Sequence, residues 1–286
     1  MQFSQACGYG RVLTLGFLVA GSATGHESGD RAVEAIKDNS ILVEEAYNQE
    51  PGIVHHLLLM GHHVHRMGST DDREWQFAFT QEWPLASERH QIAYTLPYSI
   101  LEDRSGSTSG LGDIALHYRL QALFEQDSSP AVAPRLSLIL PTGSARRGLG
   151  EGRLGYQFNL PLSKTLSDRW AIHGNAGFTT FPGLRGRDPI TPHLAGSLVY
   201  APHRQLHLLL ESVGAWTQTV DASAAVHSTF ECVISPGARY AVNWGDSQWV
   251  VGVGIPVGIT RSAPDFGVLL YLSWEHSFLR TPEPPR

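Results

Sequence analysis

Five histidines crowd one short stretch: His55, His56, His62, His63 and His65. In an extended chain His63 and His65 share a face and could hold a metal between two imidazoles. His56 and His62 fall on the opposite face. A metal site needs a third ligand from another element, and no such ligand can be read from the sequence, so no metal and no cofactor is expected. Glu44 and Glu45 are the other candidates. As extended neighbours they point apart and make a poor general acid–base pair. There is no Gly-x-Ser-x-Gly elbow and no ordered serine, histidine and aspartate set in a recognisable context, so no catalytic residue is assigned. Arg146, Arg147, Arg185 and Arg187 could meet lipopolysaccharide phosphates or simply be solvated, depending on where the chain places them.

The elements that would position these residues are strands. From 53 to 278 the chain alternates apolar and polar residues in about twelve runs. They lie near 53–66, 73–83, 88–100, 110–124, 130–140, 152–163, 167–181, 190–201, 205–217, 226–242, 247–260 and 265–278. In the second, Trp75, Phe77, Phe79 and Trp83 oppose Glu74, Gln76, Thr80 and Glu82. In the last, Phe266, Val268, Leu270, Leu272 and Trp274 oppose Gly267, Ser273 and Glu275. The links 84–87, 125–129, 164–166, 202–204 and 243–246 are short. The links 101–109, 141–151, 182–188 and 218–225 are longer. Tight turns on one side and long loops on the other fit an all-β, antiparallel up-and-down transmembrane barrel with both termini on the short-turn side.

The N-terminus reads as a targeting signal. Arg11 precedes the apolar run 12–20, and small residues follow at Gly21, Ser22, Ala23 and Gly25. About ten apolar residues are too few to span a bilayer as a helix. The expected organisation is a signal peptide at 1–25, a lead or plug segment at 26–52, a barrel at 53–278 and a proline-rich tail at 279–286. Losing the signal removes Cys7 and leaves Cys232 without an intramolecular partner. A net charge of -6 gives no footprint for nucleic acid.

On this register the polar face lines a lumen. It carries Glu74, Glu82, His117, Arg119, Arg135, Gln157, Asn159, His173, Asn175, His193, Glu211, Glu231 and Glu275. Within the lead segment, Glu44, Glu45, Tyr47 and Gln49 could bond to these groups and form a plug. Aromatics of apolar parity gather at strand ends: Trp83, Phe124, Trp170, Tyr200, Tyr240, Trp249 and Trp274 on the periplasmic side, and Trp75, Tyr98, Phe178 and Trp216 on the outer side. Amphipathic rings collect at the two lipid boundaries of a spanning barrel, whereas a soluble sandwich has no reason to sort them.

Several stretches also resemble one family. They are Asn39 to Gly52, Phe79-Thr80-Gln81-Glu82-Trp83-Pro84, Tyr94-Thr95-Leu96-Pro97-Tyr98, Gly110-Leu111-Gly112-Asp113-Ile114, Leu138 to Gly143 and His173-Gly174-Asn175-Ala176-Gly177. In order and spacing they resemble the outer-membrane transporter family named after the meta-pathway of phenol degradation. The resemblance implies an outer-membrane barrel passing small hydrophobic or aromatic molecules, and it supplies no motif-defined binding residues. The expectation is therefore a passive channel. Its partners would be outer-membrane lipid, lipopolysaccharide, the assembly machinery that reads the last strand, and a small-molecule substrate of unknown identity. The alternatives are a barrel with no transport role, a secreted soluble β protein, and an outer-membrane phospholipase.

Overall fold

Alternating sequence of this kind can satisfy its backbone in a bilayer only if the sheet closes, and it does. The computed structural model describes residues 32–34, 36, 38–67, 70–103, 106–244 and 247–278. The expected signal peptide and the proline-rich tail lie outside these residues, as does the side chain of His65. In chain order the strands are β1 (Ile53–Met67), β2 (Thr70–Leu85), β3 (Ser87–Asp103), β4 (Gly106–Leu111) and β5 (Ile114–Leu120). Next come β6 (Ala131–Val132), β7 (Arg135–Leu140), β8 (Gly155–Ser167), β9 (Trp170–Thr180) and β10 (Ile190–His203). The series ends with β11 (Leu206–Val220), β12 (Val226–Trp244), β13 (Ser247–Gly254), β14 (Val257–Gly258) and β15 (Phe266–Ser277). All pairings are antiparallel, and β1 pairs with β15 from Ile53↔Ser277 to Val64↔Phe266, which closes the ring.

Three staves are each built from two segments, so the barrel has twelve staves. The breaks fall at Gly112-Asp113, Ala133-Pro134 and Ile255-Pro256. The two prolines lack the N–H a ladder needs. The outer face is apolar as its parity requires: Leu136, Leu194, Leu210 and Leu270 are exposed. Aromatic pairs ring the periplasmic end, with Trp170–Tyr200 at 4.7 Å, Trp249–Trp274 at 5.5 Å and Trp83–Phe278 at 5.7 Å between centroids. Toward the outer end, Trp216 packs on Phe230 at 4.7 Å and Phe77 on Tyr98 at 6.3 Å. Leu270 lies mid-strand on the lipid face of β15. Replacing it with arginine is expected to cost about 2–4 kcal/mol in urea unfolding from vesicles, against almost nothing for Ser223→Arg in an exposed loop.

Several strand ends run further than expected, to Leu85, His203, Val220 and Trp244, and three bounds change the reading. Stretch 101–109 is not an open loop: β3 runs to Asp103 and β4 begins at Gly106. Its Ser, Gly and Thr residues carry no apolar alternation, because this hairpin stands beyond the hydrocarbon. The fourth stave ends at Leu120, so Phe124 lies in the turn, beneath the Arg89 guanidinium at 5.2 Å, and not on a strand end. Residues 164–166 belong to β8: Glu125 accepts from Lys164 Nζ (3.1 Å) and from the Thr165 backbone N–H (2.7 Å), which holds that end in the sheet.

Candidate functional site

The interior has two sides. From β2 to β9 the inward positions are polar, as expected. From β10 to β15 and β1 they are mixed: His55, His207, Glu211, Glu231 and Arg239 are buried beside an apolar set, Val199, Leu209, Val233, Val250, Leu269, Leu57 and Leu59. Sequence parity suggested a wholly polar lumen. These residues break that expectation because their partner is another protein segment and not water.

That segment is 38–49. It has no regular secondary structure, yet nearly all of it is buried. Ile41, Leu42 and Val43 pack on the apolar side. Ile41 fills a niche made by two glycines: a Cβ on Gly237 would stand 3.2 Å from the Ile41 Cδ1, and one on Gly254 would stand 3.5 Å away. A buried irregular segment must find partners for its backbone N–H groups, and the wall supplies them from side chains. Glu211 Oε1 accepts from Leu42 N (2.9 Å) and Val43 N (3.0 Å). Asn175 accepts from Glu44 N (2.9 Å) and donates to Glu44 O (2.7 Å). Ser163 Oγ accepts from Ala46 N (2.7 Å), Gln121 Oε1 from Asn48 N (3.0 Å) and Gln91 Oε1 from Gln49 N (2.7 Å).

Sheet register creates an electrostatic need. Arg119 on β5 and Arg135 on β7 are direct cross-strand partners, both buried. Like charges directly opposite destabilise a sheet. The fully buried Glu44 carboxylate resolves this by accepting from Arg119 Nη1 (3.2 Å), Arg135 Nε (3.1 Å) and Asn159 Nδ2 (2.7 Å). Glu45 turns the other way, 3.1 Å from Arg239 Nη2 and 3.5 Å from His173 Nε2. Asp38 accepts from Tyr271 (2.5 Å) and Ser273, and lies 3.3 Å from His55 Nε2. Burial alone would raise the Asp38 carboxyl, but the charge and hydrogen bond of His55, with Arg239, hold it below its ordinary value. Tyr47 donates to Glu125 (2.6 Å) at the periplasmic turn. Burial and that carboxylate push its hydroxyl well up, so it remains a donor.

The expected lumen residues therefore divide into groups. Arg119, Arg135, Asn159, His173, Asn175 and Glu211 touch the segment. His117, Gln157 and His193 stand behind them: Arg135 donates to Gln157 Oε1 (2.9 Å) and is 2.6 Å from His117 Nδ1, and His193 is 3.1 Å from Asn159 Oδ1. Glu82 lies 3.4 Å from His55, which Gln49 also meets at 2.9 Å. Glu74 accepts from Gln76 (2.9 Å), while Glu231 is buried and Glu275 half-buried at inward positions. A polar pocket beside the arginines is lined by Thr80, Glu82, Gln91, Ala93, Thr95 and His117. The expected set lacked Asp38, Ser40, Asn48, Gln91, Arg239 and Tyr271, and it left out His55, Gln121 and Ser273, although the sequence had singled out the first as a histidine and the other two as polar-face residues. The strand residues among them lie on inward positions, so parity alone could have found them. His56 and His62 face outward, the first stacked on Trp274 (4.7 Å) and the second tilted against Trp75 (4.3 Å). Among the described residues no three His, Cys, Asp or Glu side chains gather to hold a metal.

The family model described as "Putative MetA-pathway of phenol degradation" matches residues 57–275. No curated protein matches the chain. An outer membrane channel from Pseudomonas putida F1 shares the fold at a TM-score of 0.61 and 15% identity, covering 82% of this chain and 98% of that one. The NanC porin aligns at 0.46 and 11% identity (78% and 100% covered), and the CymD monoaromatic hydrocarbon channel at 0.37 and 9% (81% and 90%).

Proposed function

The chain belongs to that phenol-degradation family and is a bacterial outer-membrane β-barrel, and on this premise we propose that it is a passive channel for small molecules with an apolar body and a polar handle. The observation that carries this reading is the two-sided interior. An apolar strip (Val199, Leu209, Val233, Val250) faces a polar one (Arg119, Arg135, Gln157, Asn159) across the 38–49 segment. Aromatic compounds with a hydroxyl or carboxyl group match both strips once segment 38–49, which covers them, gives way. In this reading segment 38–49 is the constriction, and Glu44, Glu45, Tyr47 and Gln49 are its anchors.

Twelve staves enclose more space than the eight that side chains alone can fill, and less than a wide aqueous porin. A chain threaded through such a lumen narrows it without sealing it by necessity. The reading assigns no catalysis: Glu44 and Glu45 are committed to arginines and offer no free acid–base pair. Lipid at the two aromatic girdles, lipopolysaccharide at the outer loop arginines and the assembly machinery at β15 and the adjoining Phe278 are the partners this reading implies. The deciding experiment is single-channel recording of purified protein in a planar bilayer. Discrete current steps are expected, and their absence across repeated insertions would leave only a non-transporting barrel.

A further inference from the structure

The lipid-facing wall carries a polar line near the periplasmic end of the β1–β15 seam. Its members have outward parity: His276 on β15, His56 on β1, Gln81 on β2 and Tyr94 on β3. Register brings them together. His56 is opposite Gln81, Gln81 is opposite Tyr94, and His276 stands one row nearer the strand end, opposite Val54. Gln81 and Tyr94 belong to stretches the sequence singled out, and His56 to the histidine cluster, yet the lumen uses none of them. Polar groups on such a wall must find partners within it. These bond in series. Tyr94 OH donates to Gln81 Oε1 (2.8 Å), Gln81 Nε2 lies 3.0 Å from His56 Nδ1, and His56 Nε2 lies 3.1 Å from His276 Nδ1.

The series runs in one direction. An amide nitrogen only donates, so His56 Nδ1 accepts and the His56 proton is on Nε2. That proton goes to His276 Nδ1, which leaves the His276 proton on Nε2. The His276 ring is exposed, so the line ends in a donor open to the surroundings. Each bond in such a series polarises the next and strengthens the last donor. Gln81 Nε2 has two protons and spends one on His56, so a second donor stands one row deeper. Rows of one parity are about 7 Å apart along a strand. Stacked rings hold the line in place: His56 lies 5.0 Å from His276 and 4.7 Å from Trp274, nearly parallel to both. Trp83 against Phe278, two residues past His276, marks the girdle here. The next row inward is apolar, with Leu58 opposite both Leu272 and Phe79.

We propose that this corner of the wall binds one glycerophospholipid of the periplasmic leaflet. The phosphate accepts from His276 Nε2–H at girdle level. An acyl ester carbonyl accepts from the spare N–H of Gln81 one row deeper, and the chains lie along Leu58, Leu272 and Phe79. A glycerophospholipid carries its phosphate and its ester carbonyls on opposite sides of the glycerol, which suits donors one row apart. An anionic phosphate oxygen makes a stronger bond to the terminal donor than water does. The site stands on the membrane placement and not on the channel reading, so a protein that carries no current should still hold the lipid.

Protein purified in detergent and stripped of lipid is given dioleoylphosphatidylethanolamine, and bound lipid is counted by native mass spectrometry. Dioleoylglycerol, which has the same chains and esters but no phosphate, is the comparison. Wild type is expected to retain the phospholipid severalfold better than the diacylglycerol. His276→Phe and Gln81→Leu should each lower phospholipid retention severalfold, while Tyr200→Phe, at the girdle on β10, should leave it unchanged. Equal retention of the two lipids by wild type overturns the site. So does undiminished phospholipid retention in His276→Phe and Gln81→Leu. A dimer in place of a lipid adduct, lost in the same two variants, also overturns it and makes the line a contact between two copies of the chain. Should His276→Phe fail to fold, Gln81→Leu leaves the two imidazoles in place and carries the same test.

Discussion

Glu44→Ala should lower the unfolding free energy by about 3–5 kcal/mol, read as a drop in urea midpoint at unchanged slope. The substitution does more than remove a hydrogen-bonding group. It leaves Arg119 and Arg135 opposed across β5 and β7 with no anion between them. Both guanidiniums are buried, so water cannot take over the lost interaction without entering the wall. Glu44→Gln keeps the shape and one acceptor, and should cost less than alanine. Arg119→Gln in the Glu44→Ala background should recover part of the loss, because only one buried cation then remains. A loss below about 1 kcal/mol for Glu44→Ala would mean that the arginines are neutralised some other way.

Deleting residues 38–49 should raise single-channel conductance severalfold and shift ion preference toward anions. The segment fills the interior between the two strips. Of its three acids, Glu44 and Glu45 engage the inward-facing Arg119, Arg135 and Arg239, and Asp38 meets His55. With the segment gone the lumen loses these acids, so the three guanidiniums weigh more against the inward Glu74, Glu82, Glu211, Glu231 and Glu275, and the preference moves toward anions. The apolar strip of Val199, Leu209 and Val233 would meet water at the same time, so the deleted protein should also be less stable. Reversal potentials in a salt gradient, measured for wild type and the deletion, check both parts. An unchanged conductance would show that the constriction lies elsewhere, for instance at the outer loops.

The local pattern was legible wherever a strand crosses lipid. In β15 the run Phe266, Val268, Leu270, Leu272, Trp274 defines both the strand and its outward face, because hydrocarbon accepts only one kind of side chain. It was not legible where the chain leaves the bilayer. The hairpin of β3 and β4 reads as loop, since Ser107, Thr108 and Ser109 meet water on both faces. Phe124 has the right parity but lies past the strand end, a bound that depends on where Val132 bridges to Leu123.

The candidate site divides in the same way. Sequence parity assigned Arg119, Arg135 and Asn159 to the interior one residue at a time, and it also separated Glu44 from Glu45, since neighbours in an extended chain point apart. What parity could not provide was the pairing of Arg119 with Arg135, which depends on the register between two strands. Nor could it show that Glu44 reaches across 75 and 91 residues of chain to satisfy them. The sequence by itself determined the strands and their lipid-facing side, through a period of two repeated along the chain, and it pointed to the orientation and membrane address through its link lengths and sorted aromatics. Only the tertiary structure decided which charges meet, where apolar side chains gather inside and that β1 pairs with β15, because those contacts join residues far apart in the chain and leave no periodic trace in it.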